Sequence, residues 1–242
     1  MKKIPVLPSG QRKFLFLQGP HGPFFYELSR ILRASGALVE KIGFNKGDEF
    51  FWREPATFTA FLNPSEQWIE FIAAKLDDDI TDIVIYGDAR FFHSSAIKLA
   101  KSKGITVHCF EEGYLRPYWV TYERGGVNGN SRMMDMPIVE MRAALTKIDE
   151  EQPEAPARWG ELRNHVLYGA WYHWHVLFRN RGYPNYKTHR AASIRQEFTS
   201  HAKRLFMMPW RSFKRAYDTK RYWKSAPNWV KVRLKIPMGI GL

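Results

Sequence analysis

Ile105-Thr-Val-His-Cys-Phe-Glu-Glu-Gly-Tyr-Leu-Arg-Pro117 is the stretch on which the fold turns. Its first residues, Ile105 to Cys109, are rich in β-branched and apolar side chains and follow a run of helical character. They give way to two carboxylates, a glycine, an aromatic, an arginine and a proline. This pattern predicts a buried parallel strand that delivers charge into a loop. Open α/β sheets bind ligands beyond the carboxyl ends of their strands, so Glu111, Glu112, Tyr114 and Arg116 are expected at the mouth of a crevice.

Upstream the same rhythm recurs. Lys13 to Gln18 is a short apolar run cut off by Gly19-Pro-His-Gly-Pro23. Phe24 to Ser35 then sets Phe24, Phe25, Leu28, Ile31 and Leu32 at helical spacing before Gly36, and Ala37 to Ile42 supplies a second strand. A βαβ unit of this kind seeds a parallel sheet. Residues 43–49 read as loop, followed by the aromatic patch Phe50, Phe51 and Trp52. A helix is expected from Pro64 and Ser65 to the region of Leu76, burying Trp68, Phe71 and Ile72. Thr81 to Tyr86 is the strongest strand signal. The polar loop Gly87-Asp-Ala-Arg-Phe-Phe-His93 and a helix from Ser94 to Lys103 connect it to the opening stretch. The expected fold is α/β, with a Rossmann-like parallel-sheet domain over residues 1–150. In it the loops beginning at Gly19, Gly87 and Glu111 converge on one rim. Gln18, Gly19, His21, Asp88, Arg90, His93, Glu111, Glu112, Tyr114 and Arg116 all fall at or in these loops. Beyond Pro117, Tyr118 to Tyr122 is a candidate strand, and 125–131 is a glycine-rich turn carrying Asn128 and Ser131. Neither it nor Gly19-Pro-His-Gly22 has the spacing of a Walker A loop or a dinucleotide fingerprint.

The 242 residues, 45% of them hydrophobic, are ample for a core. Cys109 is the single cysteine, so no intrachain disulfide forms and a reducing compartment is expected; its position inside a strand marks it as a small core residue. Pro5, Pro8 and Gly10 interrupt any secretory leader, and no window approaches the roughly 18–20 apolar residues of a membrane helix. Charge divides the chain. Residues 1–150 hold 19 basic and 19 acidic side chains, whereas residues 151–242 hold 18 basic and 5 acidic, which accounts for the whole net charge of +13. The acidic, proline-bearing run Glu150-Glu-Gln-Pro-Glu-Ala-Pro156 reads as the linker between the two.

Several of the candidate site residues also have a plainer reading. Glu111 and Glu112 fit a solvated acidic turn. If they stand in extended chain, one faces the crevice and the other pairs with a base such as Arg116 or Arg90. A carboxylate so placed serves as nucleophile or base. Asp88 fits the N-cap of the helix after it. His21 and His93 fit loop or cap positions, and Arg90 and Arg116 fit either surface ion pairs or bidentate binding of phosphate or carboxylate.

Four motifs in this order carry a resemblance: Phe16-Leu-Gln-Gly-Pro-His-Gly-Pro-Phe-Phe25, Ile85-Tyr-Gly-Asp-Ala-Arg90 with His93, Phe110-Glu-Glu-Gly-Tyr-Leu-Arg-Pro117 and Gly126-Val-Asn-Gly-Asn-Ser131. Across residues 13–140 the chain resembles capsule polysaccharide biosynthesis and export proteins of the KpsS/LipB type. The resemblance implies a bacterial, cytoplasmic glycosyltransferase of GT-B build, similar to retaining β-Kdo transferases, that moves Kdo from CMP-Kdo to a phosphatidylglycerol-type lipid. No cofactor is implied; CMP-Kdo is the donor substrate. Related enzymes carry an acidic residue and then Asp-Gly where this chain has Glu111-Glu112-Gly113. Glu112 therefore takes the nucleophile position with one methylene more. Family members continue into a second Rossmann-like domain, and no second βαβ series is legible after residue 150. The resemblance thus implies a truncated or split product whose donor site is impaired or completed by a separate chain.

Residues 151–242 are expected to form a basic, aromatic-rich helical region. One helix spans Trp159 to Phe178, and a second spans Ala191 to Met208 and is ended by Pro209. Its bases and aromatics suit the surface of an anionic inner membrane, in keeping with a lipid acceptor and with other capsule assembly proteins as partners. Nucleic acid is the weaker alternative, since no nucleic-acid motif is present and the first half is neutral. His173 and His175, two apart, fall on different faces of a helix, so no metal site is read from them. The alternative to an enzyme is a non-catalytic protein that holds a sugar or an anionic polymer.

Overall fold

The computed structural model describes residues 10–113, 119–146, 162–187 and 193–225. Six strands, β1 (Lys13–Phe16), β2 (Leu38–Gly43), β3 (Phe58–Ala60), β4 (Asp82–Tyr86), β5 (Thr106–Glu112) and β6 (Val120–Arg124), make one sheet in the order β3-β2-β1-β4-β5-β6. β1 to β5 are parallel, and β6 returns antiparallel to β5. The helices are α1 (Phe24–Ala34), α2 (Lys46–Trp52), α3 (Trp68–Leu76), α4 (Phe91–Ser102), α5 (Ile138–Leu145), α6 (Leu162–Phe178) and α7 (Ile194–Ser225).

Alternation along the strands decides which helix covers which face. Leu15 and Leu17 of the first strand segment join Ile83, Ile85, Val107 and Cys109 beneath α3 and α4, against Trp68, Ile72 and Ala96. Phe14 and Phe16 point the other way, with Val84 and Tyr86, onto Phe25 of α1 and Trp52 of α2. Both faces of the central strands are therefore dry, which is why β4 is five buried residues in succession. The strand order reverses between β1 and β4, so the α/β expectation holds and the carboxyl ends of β1, β4 and β5 stand side by side on one rim.

Several boundaries differ from the sequence reading. Residues 46–52 form α2 rather than loop and patch. The side chain of Asn45 accepts the Asp48 N–H, and burial of Phe51 and Trp52 overrides the poor helix propensity of Gly47 and Asp48. β3, also unanticipated, is a three-residue edge strand. α7 does not stop at Pro209. Proline lacks the N–H that would bond to the Leu205 carbonyl, but its fixed φ is a helical one, and the helix continues to Ser225. The acidic linker, Tyr114, Arg116 and the last seventeen residues lie outside the described set. Among the described residues no helix is long and apolar enough to cross a membrane.

Candidate active site

β5 runs on through Glu111 and Glu112, so both carboxylates sit on the end of a strand rather than in a loop. Both border a cavity of about 1000 Å³ above the switch point, which corrects the expectation that only one would face it. The cause is local: the Glu111 side chain folds back to accept the N–H of Glu112 at 3.1 Å and stands over Gly87. Gln18, Gly19 and His21 reach the same cavity from the end of β1, Asp88 and Arg90 from the end of β4, and Asn128 from the turn after β6. Across the opening, α7 contributes Arg204, Arg211 and Arg215.

The floor is held by a buried polar network. Gln18 donates to the Tyr172 hydroxyl at 3.0 Å and accepts from Arg90 at 2.9 Å. Tyr172 donates to Asp48 at 3.1 Å and accepts from Asn45 at 2.7 Å. Burial pushes the Asp48 carboxyl and the Tyr172 phenol up and the neighbouring Lys41 ammonium down. Through these bonds α6 is tied to α2 and the end of β1.

Other expected contacts resolve into supports. Asp88 does not cap α4; its carboxylate accepts from the Val127 N–H at 2.9 Å and the Asn130 amide at 3.1 Å, pinning the glycine-rich turn. His93 is fully buried, with Nδ1 2.6 Å from the Gly87 carbonyl, and does not border the cavity. A carbonyl only accepts, so that nitrogen carries the proton and the ring fixes the turn after β4. Ser131 is likewise a support: its hydroxyl bonds Glu123 and accepts the Met133 N–H. Burial pushes the Cys109 thiol up to about 12, as befits an inert core residue.

One cluster of histidines has no counterpart in the sequence pattern. On α6, His175 stacks on Phe50 at 4.0 Å while His173 turns the other way, as their spacing requires. His173 meets His21 and His201, with ring centroids 4.7 and 5.2 Å away. Nothing in local spacing announces a group drawn from three distant segments.

The model of the capsule polysaccharide biosynthesis protein family matches residues 81–232, which include β4, β5 and the whole of α7. The chain belongs to this family. It is 32% identical to the capsule polysaccharide export protein KpsS of Escherichia coli over 96% of this chain and 55% of that protein. It is 34% identical to the capsule polysaccharide modification protein LipB of Neisseria meningitidis serogroup A, and equally to that of serogroup B. Each of these matches covers 73% of this chain and 43% of the relative. The chain thus spans about half the length of the curated relatives it matches, and the motif resemblance is borne out at the level of the family.

Proposed function

We propose that this capsule-family chain takes part in glycosyl transfer, moving a β-Kdo residue from CMP-Kdo onto a phosphatidylglycerol-type lipid. The observation that carries the reading is the pairing of Glu111 and Glu112 with Arg90 and the three arginines of α7 around one cavity at the sheet's switch point. A donor with a phosphate and a sugar carboxylate needs guanidinium partners, and bidentate arginine contacts suit both groups. Transfer with retention proceeds by two displacements. The Glu112 carboxylate attacks the anomeric carbon, the bond to the CMP oxygen breaks, and CMP leaves. The acceptor hydroxyl then attacks the same carbon, its proton passes to Glu111, and the Glu112 carboxylate is released. Tyr114 and Arg116 remain candidates for holding the sugar or lipid phosphate.

A lipid acceptor places the reaction on the cytoplasmic surface of the inner membrane, beside other capsule assembly proteins. Support comes from α7, where Phe206, Trp210, Phe213 and Tyr217 are exposed along one helical stripe beside lysines and arginines.

The test is incubation of the chain with CMP-Kdo and a phosphatidylglycerol acceptor, alone and with a polypeptide supplying the rest of the relatives' length. Transfer that disappears in Glu112→Gln is the expected result. Transfer that survives this substitution removes Glu112 as nucleophile. CMP-Kdo binding without turnover under both conditions favours a non-catalytic sugar-binding protein.

A further inference from the structure

Three histidines border the same cavity and come from elements other than the strand that carries the carboxylates of the proposed transfer. His21 comes from the loop after β1, His173 from α6 and His201 from α7, and one nitrogen from each lies within 4.8 Å of the others. Glu197, one turn before His201, puts a carboxylate oxygen 2.8 Å from Nε2 of His173. Three imidazoles and one carboxylate are the donor set of a four-coordinate zinc-type ion.

We propose that His21, His173, His201 and Glu197 bind a divalent transition metal of the zinc class. Nδ1 of His201 lies 2.9 Å from the backbone carbonyl of Glu197. The carbonyl only accepts, so the proton sits on Nδ1 and the neutral ring presents the Nε2 lone pair, the outer-shell arrangement that orients metal-bound histidines. The His21 ring is stacked on Tyr172 at 4.2 Å, which limits its rotation, and His173 is 5% exposed. Gly169 on α6 makes room for the third ligand: a Cβ there would lie 2.6 Å from Nε2 of His201.

Zinc with Zn–N bonds of about 2.0–2.1 Å holds tetrahedral donors about 3.4 Å apart, so closure asks for shifts of about 1 Å from side chains on three elements. Neutral imidazoles and one carboxylate leave a bound divalent ion a net positive charge beside Arg204 and Arg211, which suits a cavity for anions. The ion would also clamp α7 to α6 and the β1 loop. This proposal does not depend on the transfer reading.

The experiment uses the full chain without a polyhistidine tag, stripped by chelator and dialysed, then titrated with Zn2+ by calorimetry and with Co2+ by visible absorption. One ion per chain and the intense visible bands of tetrahedral cobalt are expected. His173→Ala and His201→Ala should each weaken binding about 100-fold or more. Gly169→Ala should weaken it by crowding His201 with no donor removed, while His175→Ala should leave it intact. Far-UV circular dichroism checks folding; if an alanine variant unfolds, the wild-type cobalt spectrum decides, an octahedral pattern counting against the site. Zinc binding that is absent, or unchanged in both folded alanine variants, overturns the proposal. So does a cluster that takes up inorganic phosphate and no metal.

Discussion

The hydroxyl of Tyr172 on α6 donates to the carboxylate of Asp48 on α2 at 3.1 Å, and both side chains are buried. It also accepts from the amides of Gln18 and Asn45. Tyr172→Phe keeps the ring and removes one donor and two acceptances. Two buried amides then lose a partner, each at about 1–3 kcal/mol at most where no water replaces it. A loss of at least 1 kcal/mol in urea unfolding is expected, along with a looser Gln18–Arg90 contact and weaker binding of the proposed donor. An unchanged midpoint would show that the network does not hold α6 to the core.

Asp82, at the start of β4, is buried and accepts from the Arg12 guanidinium at 2.9 Å, with His108 Nε2 at 2.7 Å. Burial alone pushes this carboxyl up, but hydrogen bonds from His108, Arg12 and Thr81 outweigh it and hold it down at about 2. A carboxyl held low stabilises the fold above its unfolded pKa near 4, and that contribution fades as pH falls from about 4 to about 2. The full contribution is about 2.5 kcal/mol. Denaturant unfolding of wild type and Asp82→Asn should show a gap of that order near neutrality that narrows steadily through this window. A gap independent of pH would contradict it.

The sheet was legible because parallel strands buried on both faces leave continuous apolar runs, as in residues 82–86. The rim residues followed from strand ends alone. Less visible was anything decided by tertiary contact. α2 depends on burial of Phe51 and Trp52, and the second carboxylate reaches the cavity through a side chain folded onto its own backbone. Asp88 looked like a helix cap because its position before α4 allows one; the Val127 N–H lies close enough to take the carboxylate instead. The histidine cluster has no signature in spacing, since its members come from three separate elements.

Gly113 follows Glu112 directly at the end of β5, its N–H donating to the Trp119 carbonyl at 2.9 Å. A Cβ at this position would overlap that carbonyl oxygen and come within 2.9 Å of the Trp119 Cβ. The obstacle is backbone, so it cannot rotate aside. Gly113→Ala should displace the strand end that carries Glu112 and reduce the proposed transfer at least 10-fold, since small misplacements at a reacting centre cost up to about 100-fold. Full activity with an unchanged fold would mean that Glu112 needs no such placement.

Asp88 offers a separate test of the glycine-rich turn. Asp88→Ala leaves the buried Val127 N–H without its acceptor, at a cost of about 1–3 kcal/mol, and frees Asn130. Because Asn128 borders the cavity on that turn, KM for the proposed donor should rise more than kcat falls. A fall in kcat alone would give Asp88 a direct part in the chemistry.

The exposed stripe on α7 makes the membrane proposal measurable. Phe206 is 89% exposed and Phe213 66%, and Trp210 and Tyr217 continue the same face. Lys203, Lys214 and Lys220 are exposed on the same helix and do not border the cavity. Each lysine near an anionic surface contributes about 1 kcal/mol, so reversing Lys214 and Lys220 together should lower affinity for phosphatidylglycerol-containing vesicles by 10-fold or more. Trp210→Ala with Phe213→Ala removes the inserted apolar part and should weaken binding to the same vesicles even at high salt, where the charge contribution is screened. Sedimentation against neutral and anionic vesicles separates the two effects. Equal binding of wild type to both would remove the electrostatic part. No loss in either double variant would mean that this face meets something other than lipid, such as the region by which the longer relatives exceed this chain.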